Sequence, residues 1–124
     1  MSDIVVIKEI EECLTTKLGR LDSIWWNSIG YTIDEKCNVT GIGLYNLNLS
    51  DLNICIEFLV KLRNLRVLNV SGNYVQQIEP LSKLPNLTEL YLYNNSIVDY
   101  IPLRDLQHLR KLGLSDIRQA DLEI

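Results

Sequence analysis

The sequence predicts an α/β fold in which short parallel strands alternate with short turns to form a solenoid, preceded by an N-terminal helix-and-strand cap. The main observation is that residues 64–84 (NLRVLNVSGNYVQQIEPLSKL) are followed by a near copy at 86–106 (NLTELYLYNNSIVDYIPLRDL). Leu65, Leu87 and Leu109 are each 22 residues apart. Self-similarity at a fixed period of this size is typical of solenoids, in which each unit buries its apolar face against its neighbours.

The spacing inside each copy predicts the local structure. Leu68 and Val70 alternate with residues that can face solvent, which is the period-2 pattern of a half-buried strand. After the strand, apolar residues recur at every third position, a period that suits 3₁₀ turns or polyproline-like backbone better than a long α-helix. Asn73 and Asn95 fall where the chain leaves the strand. We assign them a structural role, because a buried asparagine can satisfy unpaired backbone groups of neighbouring repeats.

The pattern LxxLxLxxNxL, present twice in register, resembles that of leucine-rich-repeat (LRR) proteins. The short period and the IxPLxxLxxL tail are similar to the class found in internalins and in a eukaryotic phosphatase regulatory subunit. The segment WNSIGYTIDEKCNVTGIGLY also resembles the lead-in of microbial LRR proteins joined to Roco-type GTPase modules, although this sequence has no GTPase motif. The resemblance implies a right-handed curved solenoid with parallel strands on its concave face and short turns on its convex face.

The chain divides into a cap at residues 1–38 and about four repeat units at 39–124, the last unit being incomplete. In the cap, apolar residues at helical spacing predict an amphipathic helix from about residue 3 to 18. Ser2 is the predicted N-cap, and Gly19 is the predicted stop.

A strand or hairpin is predicted to connect the helix to the first repeat, because Ile29, Tyr31 and Ile33 alternate with other residues as in a strand. Trp25 and Trp26 are adjacent and cannot both point inward on an extended chain. We expect one to pack beneath the cap and the other to lie near the surface.

In the first repeat, Leu47 occupies the position of the repeat asparagine. The interval to the next repeat is 26 residues, and the extra length at 52–62 is predicted to form a helical turn or two on the convex side.

Composition and charge narrow the classes of partner and compartment. The net charge is −4, and the 12 basic residues are scattered, which argues against nucleic acid or an anionic membrane as the main partner. The apolar run at 4–7 is too short for a signal peptide or a membrane span. Cys13, Cys37 and Cys55 are widely spaced and odd in number, so we expect buried, reduced thiols in a cytoplasmic protein.

The sequence gives little sign of catalysis, and we predict a protein that is not an enzyme and uses no cofactor or metal. His108 is the only histidine, and it occupies the repeat position held by Asn64 and Asn86. No paired-cysteine or HExxH spacing for a metal is present, and no glycine-rich loop precedes a helix.

The strand positions between the buried leucines are predicted to face the concave side in four columns. The columns are Gly41, Val67, Glu89, Lys111; Gly43, Asn69, Tyr91, Gly113; Tyr45, Ser71, Tyr93, Ser115; and, where the strands end, Asn46, Gly72, Asn94, Asp116. Tyrosine supplies large contact area with little rotamer entropy to lose, and it is enriched at binding hot spots. The candidate binding residues are Tyr45, Val67, Asn69, Glu89, Tyr91, Tyr93, Asn94 and Lys111.

Two alternatives to a binding role stay open at these positions. The tyrosines would then only fill the pleat beside glycines, with Tyr91 leaning over Gly43 and Gly113. Glu89 and Lys111 would only pair with each other across neighbouring strands.

The function predicted from these features is protein–protein recognition by a small cytoplasmic adaptor or regulatory module. The resemblance implies a partner in a phosphatase or GTPase pathway. The alternative is a structural unit that forms homo-oligomers through its last repeat, because Leu112 and Leu114 need cover and no dedicated cap follows them.

Overall fold

The structure is a computed structural model that describes residues 2–114, and these residues form one six-stranded sheet with helical segments on one side. The strands are β1 (Gly19–Arg20), β2 (Ile29–Ile33), β3 (Val39–Leu44), β4 (Val67–Asn69), β5 (Glu89–Tyr91) and β6 (Lys111–Gly113), in the spatial order of the chain. The helices are α1 (Asp3–Leu14), α2 (Asn53–Leu59) and two 3₁₀ helices, Glu79–Lys83 and Ile101–Asp105. Strands β3 to β6 are parallel, whereas β2 pairs antiparallel with β3 and parallel with β1.

The inward leucines of successive repeats lie directly beside one another. Ile42 pairs with Leu68, Leu68 with Leu90, and Leu90 with Leu112. The first three of these side chains are completely buried. The 22-residue period therefore stacks equivalent residues into one continuous apolar column, as the repeat pattern predicts.

The every-third-residue pattern is confirmed as 3₁₀ structure. Ile78, Leu81 and Leu84 are buried around the first 3₁₀ helix, which carries Pro80 in its first turn. Proline is tolerated there because the N–H that it lacks would have no partner in the first turn. The second 3₁₀ helix carries Pro102 at the same place.

Asn73 joins the first repeat to the second through its buried side-chain amide. Its Oδ1 accepts hydrogen bonds from the backbone N–H groups of Leu47 (2.9 Å) and Leu49 (3.0 Å). Its Nδ2 donates to the carbonyls of Leu44 (2.9 Å) and Val70 (2.8 Å). The first repeat can therefore carry Leu47 where the others carry asparagine, because Asn73 already satisfies the backbone there.

Asn95 repeats this arrangement one unit further along. Its Oδ1 accepts from the N–H of Val75 (3.0 Å), and its Nδ2 donates to the carbonyls of Val70 (3.0 Å), Tyr93 (3.2 Å) and Leu92 (3.3 Å). Both asparagines thus bond backbone groups in their own repeat and in the one before it.

Helix α1 is shorter than predicted, since it ends at Leu14 rather than near residue 18. Thr15 has the left-handed φ of 52°, which ends the helix, and Gly19 opens β1 instead of stopping the helix. Leu18 is nevertheless buried, and its N–H donates to Glu11 Oε2 (2.7 Å). The apolar spacing therefore predicted the burial of Leu18 correctly. It did not predict the backbone conformation at Leu18, which lies outside the helix.

The N-terminus of α1 is also capped differently from the prediction. The Ser2 side chain makes no capping hydrogen bond, although its carbonyl accepts from Val5 N–H (3.1 Å). The Asp3 carboxylate accepts from the backbone N–H of Val39 (2.8 Å). The first helical turn is thus attached to the start of β3.

A hairpin joins β2 to β3, and its turn is held by one carboxylate. Asp34 Oδ1 accepts from the backbone N–H groups of Lys36 (2.8 Å) and Asn38 (3.0 Å). These bonds, chiefly the one from Asn38, hold the pKa of Asp34 below its usual value.

The extra length of the first repeat forms helix α2, which packs against α1 and the first 3₁₀ helix. This helix confirms the predicted turns at 52–62. Lys61, in the turn after α2, places its Nζ 3.6 Å from Oε1 of Glu9 in α1 and forms an ion pair with it.

The cysteines differ from the prediction, because only Cys55 is buried while Cys13 and Cys37 are exposed. Burial raises the pKa of the Cys55 thiol to about 12, so it stays protonated at neutral pH. None of the three forms a disulfide.

The predicted fourth repeat is described only in part. Residues 115–124 lie outside the described residues, and with them Ser115 and Asp116 of the predicted columns. The cap and repeat boundaries and the proposed self-association through the last repeat therefore stay predictions. Within residues 2–114, neither α-helix has the length and apolar character needed to cross a bilayer.

Candidate functional site

The face of the sheet opposite the leucine column is called here the outer face. It is the face on which the sequence analysis places the four columns of residues. Strand register places Val67, Glu89 and Lys111 side by side along it, and Asn69 beside Tyr91. Residues paired in register point to the same side of a sheet. The strand register therefore aligns the residues of the first two columns as the sequence predicts.

A segment at residues 21–28, called here the strap, covers the outer face at β3. A Cβ atom on Gly41 would lie 2.8 Å from Ile24 Cγ1, and one on Gly43 would lie 2.4 Å from the Ser28 carbonyl oxygen. Both separations are too short for a side chain, so glycine is required for the strap to lie against the strand. The part of the face predicted to be open at Gly41 and Gly43 is thus occupied by the chain itself.

Asn69 is not a surface residue, and its prediction as a binding residue is wrong. The side chain is completely buried. Its Nδ2 donates to the carbonyls of Trp26 (2.8 Å) and Ser28 (3.3 Å), and its Oδ1 accepts from Ser71 N–H (3.0 Å). Asn69 therefore attaches the strap to β4.

Both tryptophans are exposed, contrary to the expectation that one packs beneath the cap. Trp25 is 61% exposed and Trp26 is 45% exposed, whereas Ile24 is the buried apolar residue of the strap. The Trp26 ring meets Tyr45 edge to face, with centroids 5.6 Å apart. Ile24 is therefore buried where a tryptophan was expected, and Trp26 forms part of the surface.

The three predicted tyrosines are half-buried on the outer face, and two of them lie over glycines. A Cβ on Gly72 would lie 2.7 Å from the Tyr45 ring, and one on Gly113 would lie 2.5 Å from the Tyr93 ring. Tyr91 and Tyr93 stack with centroids 6.3 Å apart and an interplanar angle of 17°. The predicted packing of Tyr91 over Gly43 and Gly113 is not observed, because Tyr93 covers Gly113 and the strap covers Gly43. Whether the tyrosines bind a partner or only pack stays open.

Glu89 bonds to a tyrosine rather than to its lysine neighbour. The Tyr91 hydroxyl donates to Glu89 Oε1 at 2.8 Å. Within residues 2–114 the ion pair is that of Lys61 with Glu9, so Glu89 and Lys111 do not pair across their strands. Desolvation, together with the bond to Glu89, raises the pKa of Tyr91 to about 12.

The fourth column is determined by backbone conformation. Asn46, Gly72 and Asn94 have φ values of 57°, 71° and 53°, which lie in the left-handed region. Glycine and asparagine adopt this region more readily than other residues. The conformation alone accounts for asparagine at position 94, and a binding role for the exposed Asn94 stays a prediction.

Trp26, Tyr45, Tyr91 and Tyr93 are called here the aromatic strip. Lys111 is exposed beside the strip, and Val67 and Glu89 are half-buried. Sequence reasoning placed Trp26 in the cap instead. The exposure of Trp26 could have been inferred from Gly41 and Gly43, which both lie in columns on the outer face. Two glycines there indicate that another segment of the chain lies against this end of the face.

Few features of the described residues suggest a reaction. No group of three or more His, Cys, Asp or Glu side chains between residues 2 and 114 is arranged to hold a metal ion. His108 is exposed in the turn before β6. Among residues 2–114, the outer face offers ring surface, hydroxyl groups and the exposed Lys111 ammonium, and these groups suit non-covalent contact.

Comparison with known proteins identifies the fold but no family. No protein-family model and no curated protein matches the sequence. Among solved structures, the chain is similar to internalin C2 from Listeria monocytogenes, with a TM-score of 0.57 and 24% identity over 82% of this chain. The match covers 53% of the internalin chain, so this chain spans about half of its length. The likeness shows a leucine-rich-repeat fold of the internalin type.

Proposed function

We propose that this chain is a non-catalytic protein-binding module whose partner docks on the aromatic strip of the outer face. The observation that carries the proposal is that two pairs of contacting aromatic rings, Trp26 with Tyr45 and Tyr91 with Tyr93, lie on one face of a hydrogen-bonded sheet and keep part of their surface in water. Aromatic anchors held in one place dominate the binding energy of many protein interfaces.

The strip is suited to binding because its rings are held before a partner arrives. Tyr45 and Tyr93 rest on Gly72 and Gly113, and the Tyr91 hydroxyl is bonded to Glu89. Ordering a side chain on binding costs about 0.5–1.5 kcal/mol, so rings already fixed by packing lose less free energy. This rigidity favours recognition over a purely structural role for the tyrosines.

Val67, Glu89, Asn94 and Lys111 form the proposed rim of the site. The exposed Lys111 ammonium and the Glu89 carboxylate would select the orientation of the partner more than its affinity. Asn69 is left out, because its side chain is used to hold the strap.

The broader role that we propose is that of a cytoplasmic adaptor or regulatory module built as a curved, right-handed solenoid. The three unpaired cysteines agree with a reducing compartment. The fold does not name the partner, because leucine-rich repeats of similar architecture serve many functions.

Affinity capture from native lysate with the double variant Tyr91→Ala, Tyr93→Ala tests the proposal. We expect the variant to lose the proteins that the wild-type chain retains, because the stacked pair of rings is removed. Tyr74→Ala is the matched control, since Tyr74 is 62% exposed and lies outside the aromatic strip.

The control should capture the same proteins as wild type. The circular dichroism spectrum of each variant must first match that of wild type. Undiminished capture by a folded double variant would place the binding site elsewhere.

A further inference from the structure

A second surface lies along the edge of the sheet where β4 and β5 begin. Two hollows of about 530 Å³ and 290 Å³ adjoin there, and Val60 and Arg63 line both of them. We propose that this groove, called here the basic groove, binds an acidic amphipathic segment of a partner protein. It is separate from the aromatic strip and shares no residue with it.

The floor of the groove is apolar and accessible. Val60, the residue that follows helix α2, is 43% exposed. The exposed Pro85 and the buried Leu84 continue the apolar lining in the smaller hollow. An apolar floor of this kind accepts side chains of a partner, because each methylene group removed from water contributes about 0.8 kcal/mol.

The walls of the groove carry positive charge that the chain does not neutralise. Arg63 and Lys83 are exposed and make no ion pair within residues 2–114, and no acidic residue lines the smaller hollow. The larger hollow also contains the Asp3 carboxylate, which accepts a hydrogen bond from Val39 N–H, and Lys61, which is paired with Glu9. The excess of positive charge is therefore at Arg63 and Lys83, beside the smaller hollow. The chain as a whole has a net charge of −4, so this excess of cations is local.

Charge and shape together favour one kind of occupant. Carboxylates of a partner would meet Arg63 and Lys83, while its aliphatic side chains would contact Val60, Leu84 and Pro85. An amphipathic helix lying in a groove supplies both, since its apolar anchors recur at every third or fourth residue. No aromatic side chain lines either hollow, so the groove has nothing on which a nucleic-acid base could stack.

Fluorescence anisotropy with a labelled synthetic peptide tests the proposal. The probe is a helix with leucines at helical spacing and glutamates elsewhere, and a scrambled peptide of the same composition is its control. The test variant is Arg63→Glu, Lys83→Glu. The control variant is Lys8→Glu, Lys17→Glu, which changes the net charge equally at exposed lysines of the N-terminal region.

We expect the probe to bind and the scrambled peptide to bind weakly. The groove variant should bind at least about tenfold more weakly than wild type, and the control variant should bind as wild type does, because only the groove charges face the ligand. Val60→Ser should weaken binding severalfold even at high salt, because its contribution is apolar.

Several results would overturn the proposal. These are absence of binding, equal binding of the scrambled peptide, and equal loss in both charge-reversal variants. Single-stranded DNA and phosphatidylserine vesicles are tested in parallel, and tighter binding of either one through Arg63 and Lys83 would assign the groove to that ligand instead. The aromatic-strip variant Tyr91→Ala, Tyr93→Ala should keep full affinity for the probe, which separates this test from that of the proposed function.

Discussion

At the scale of single residues, a buried asparagine side chain supplies hydrogen-bond partners to the backbone. Asn73 bonds two N–H groups and three carbonyls that lie in two different repeats. Burying a backbone group without a partner costs about 1–3 kcal/mol. The Leu47 and Leu49 N–H groups thus find their acceptor in this one side chain, whereas the Val70 and Ser71 carbonyls also accept from Asn95 and from Asn46 N–H.

Replacing Asn73 by alanine should therefore lower the free energy of unfolding by about 3–5 kcal/mol, because the N–H groups of Leu47 and Leu49 lose their acceptor together and the buried amide leaves a cavity. Urea denaturation measures this change. Asn95→Ala should have a smaller effect, since Asn95 is only half-buried and water can replace some of its bonds.

Asn86→Ala is the control at an exposed repeat turn and should change stability by less than about 0.5 kcal/mol. An Asn73→Ala variant as stable as this control would show that the amide bonds contribute little.

Tyr91 should lose its phenolic proton later than an ordinary tyrosine. Its folded pKa of about 12 lies above the ordinary tyrosine value of 10.0. Stability linked to this shift is fully present below the unfolded pKa and is lost as the pH rises through the folded pKa. An absorbance titration should therefore show one tyrosine that ionises about two pH units late, and this late component should vanish in Tyr91→Phe. A late component that survives in the variant would assign the shift to another residue.

At the scale of elements, the strap gives the outer face its final shape. It lies on β3 because Gly41 and Gly43 leave room, and it is attached at Asn69. As a result, the exposed surface begins at Trp26 and Tyr45 rather than at the first strand. The same segment brings Trp26 into the proposed binding site.

Gly43→Ala should detach the strap or displace β3, because the new Cβ would lie 2.4 Å from the Ser28 carbonyl oxygen. We expect a loss of about 2 kcal/mol or more in the free energy of unfolding, together with a change in tryptophan fluorescence. Gly19→Ala is the matched control, since nothing lies within 4 Å of its added Cβ. Equal stability and fluorescence for the two variants would contradict this account of the strap.

At the scale of the whole molecule, one apolar core runs without interruption from α1 to the repeats. Residues of both α-helices, of the repeat strands and of both 3₁₀ helices belong to a single buried cluster. Neighbouring repeats stabilise one another in such a stack, since each unit covers the apolar face of the next. Unfolding of the cap and of the repeats should therefore be coupled.

Leu68→Ala tests this coupling, because its completely buried side chain lies in the central column. We expect a loss of about 2–5 kcal/mol. Circular dichroism, which reports the whole chain, and tryptophan fluorescence, which reports the strap, should give the same midpoint. Val98→Ala, at a side chain that is 64% exposed, should be nearly neutral. Separate midpoints for the two signals would show that the cap and the repeats unfold independently.

The repeat period was sufficient to predict most of the fold. The spacing of Leu65, Leu87 and Leu109 predicted the strand register, the inward leucine column and the 3₁₀ turns, because equivalent positions in successive units have equivalent surroundings. The end of α1 could not be predicted in the same way. Leu18 is buried at a helical interval, but Thr15 turns the chain out of the helix, and apolar periodicity records burial rather than backbone conformation.

Only the residues of the candidate site that belong to the repeats could be predicted from the sequence. Tyr45, Tyr91 and Tyr93 were found because alternation within a strand assigns each side chain to one face. The burial of Asn69 and the exposure of Trp26 could be recognised only in the folded chain, where the two residues meet across 43 positions of sequence. A local pattern states which side of the sheet a residue faces, but whether that side stays open depends on the path that a distant segment takes across it.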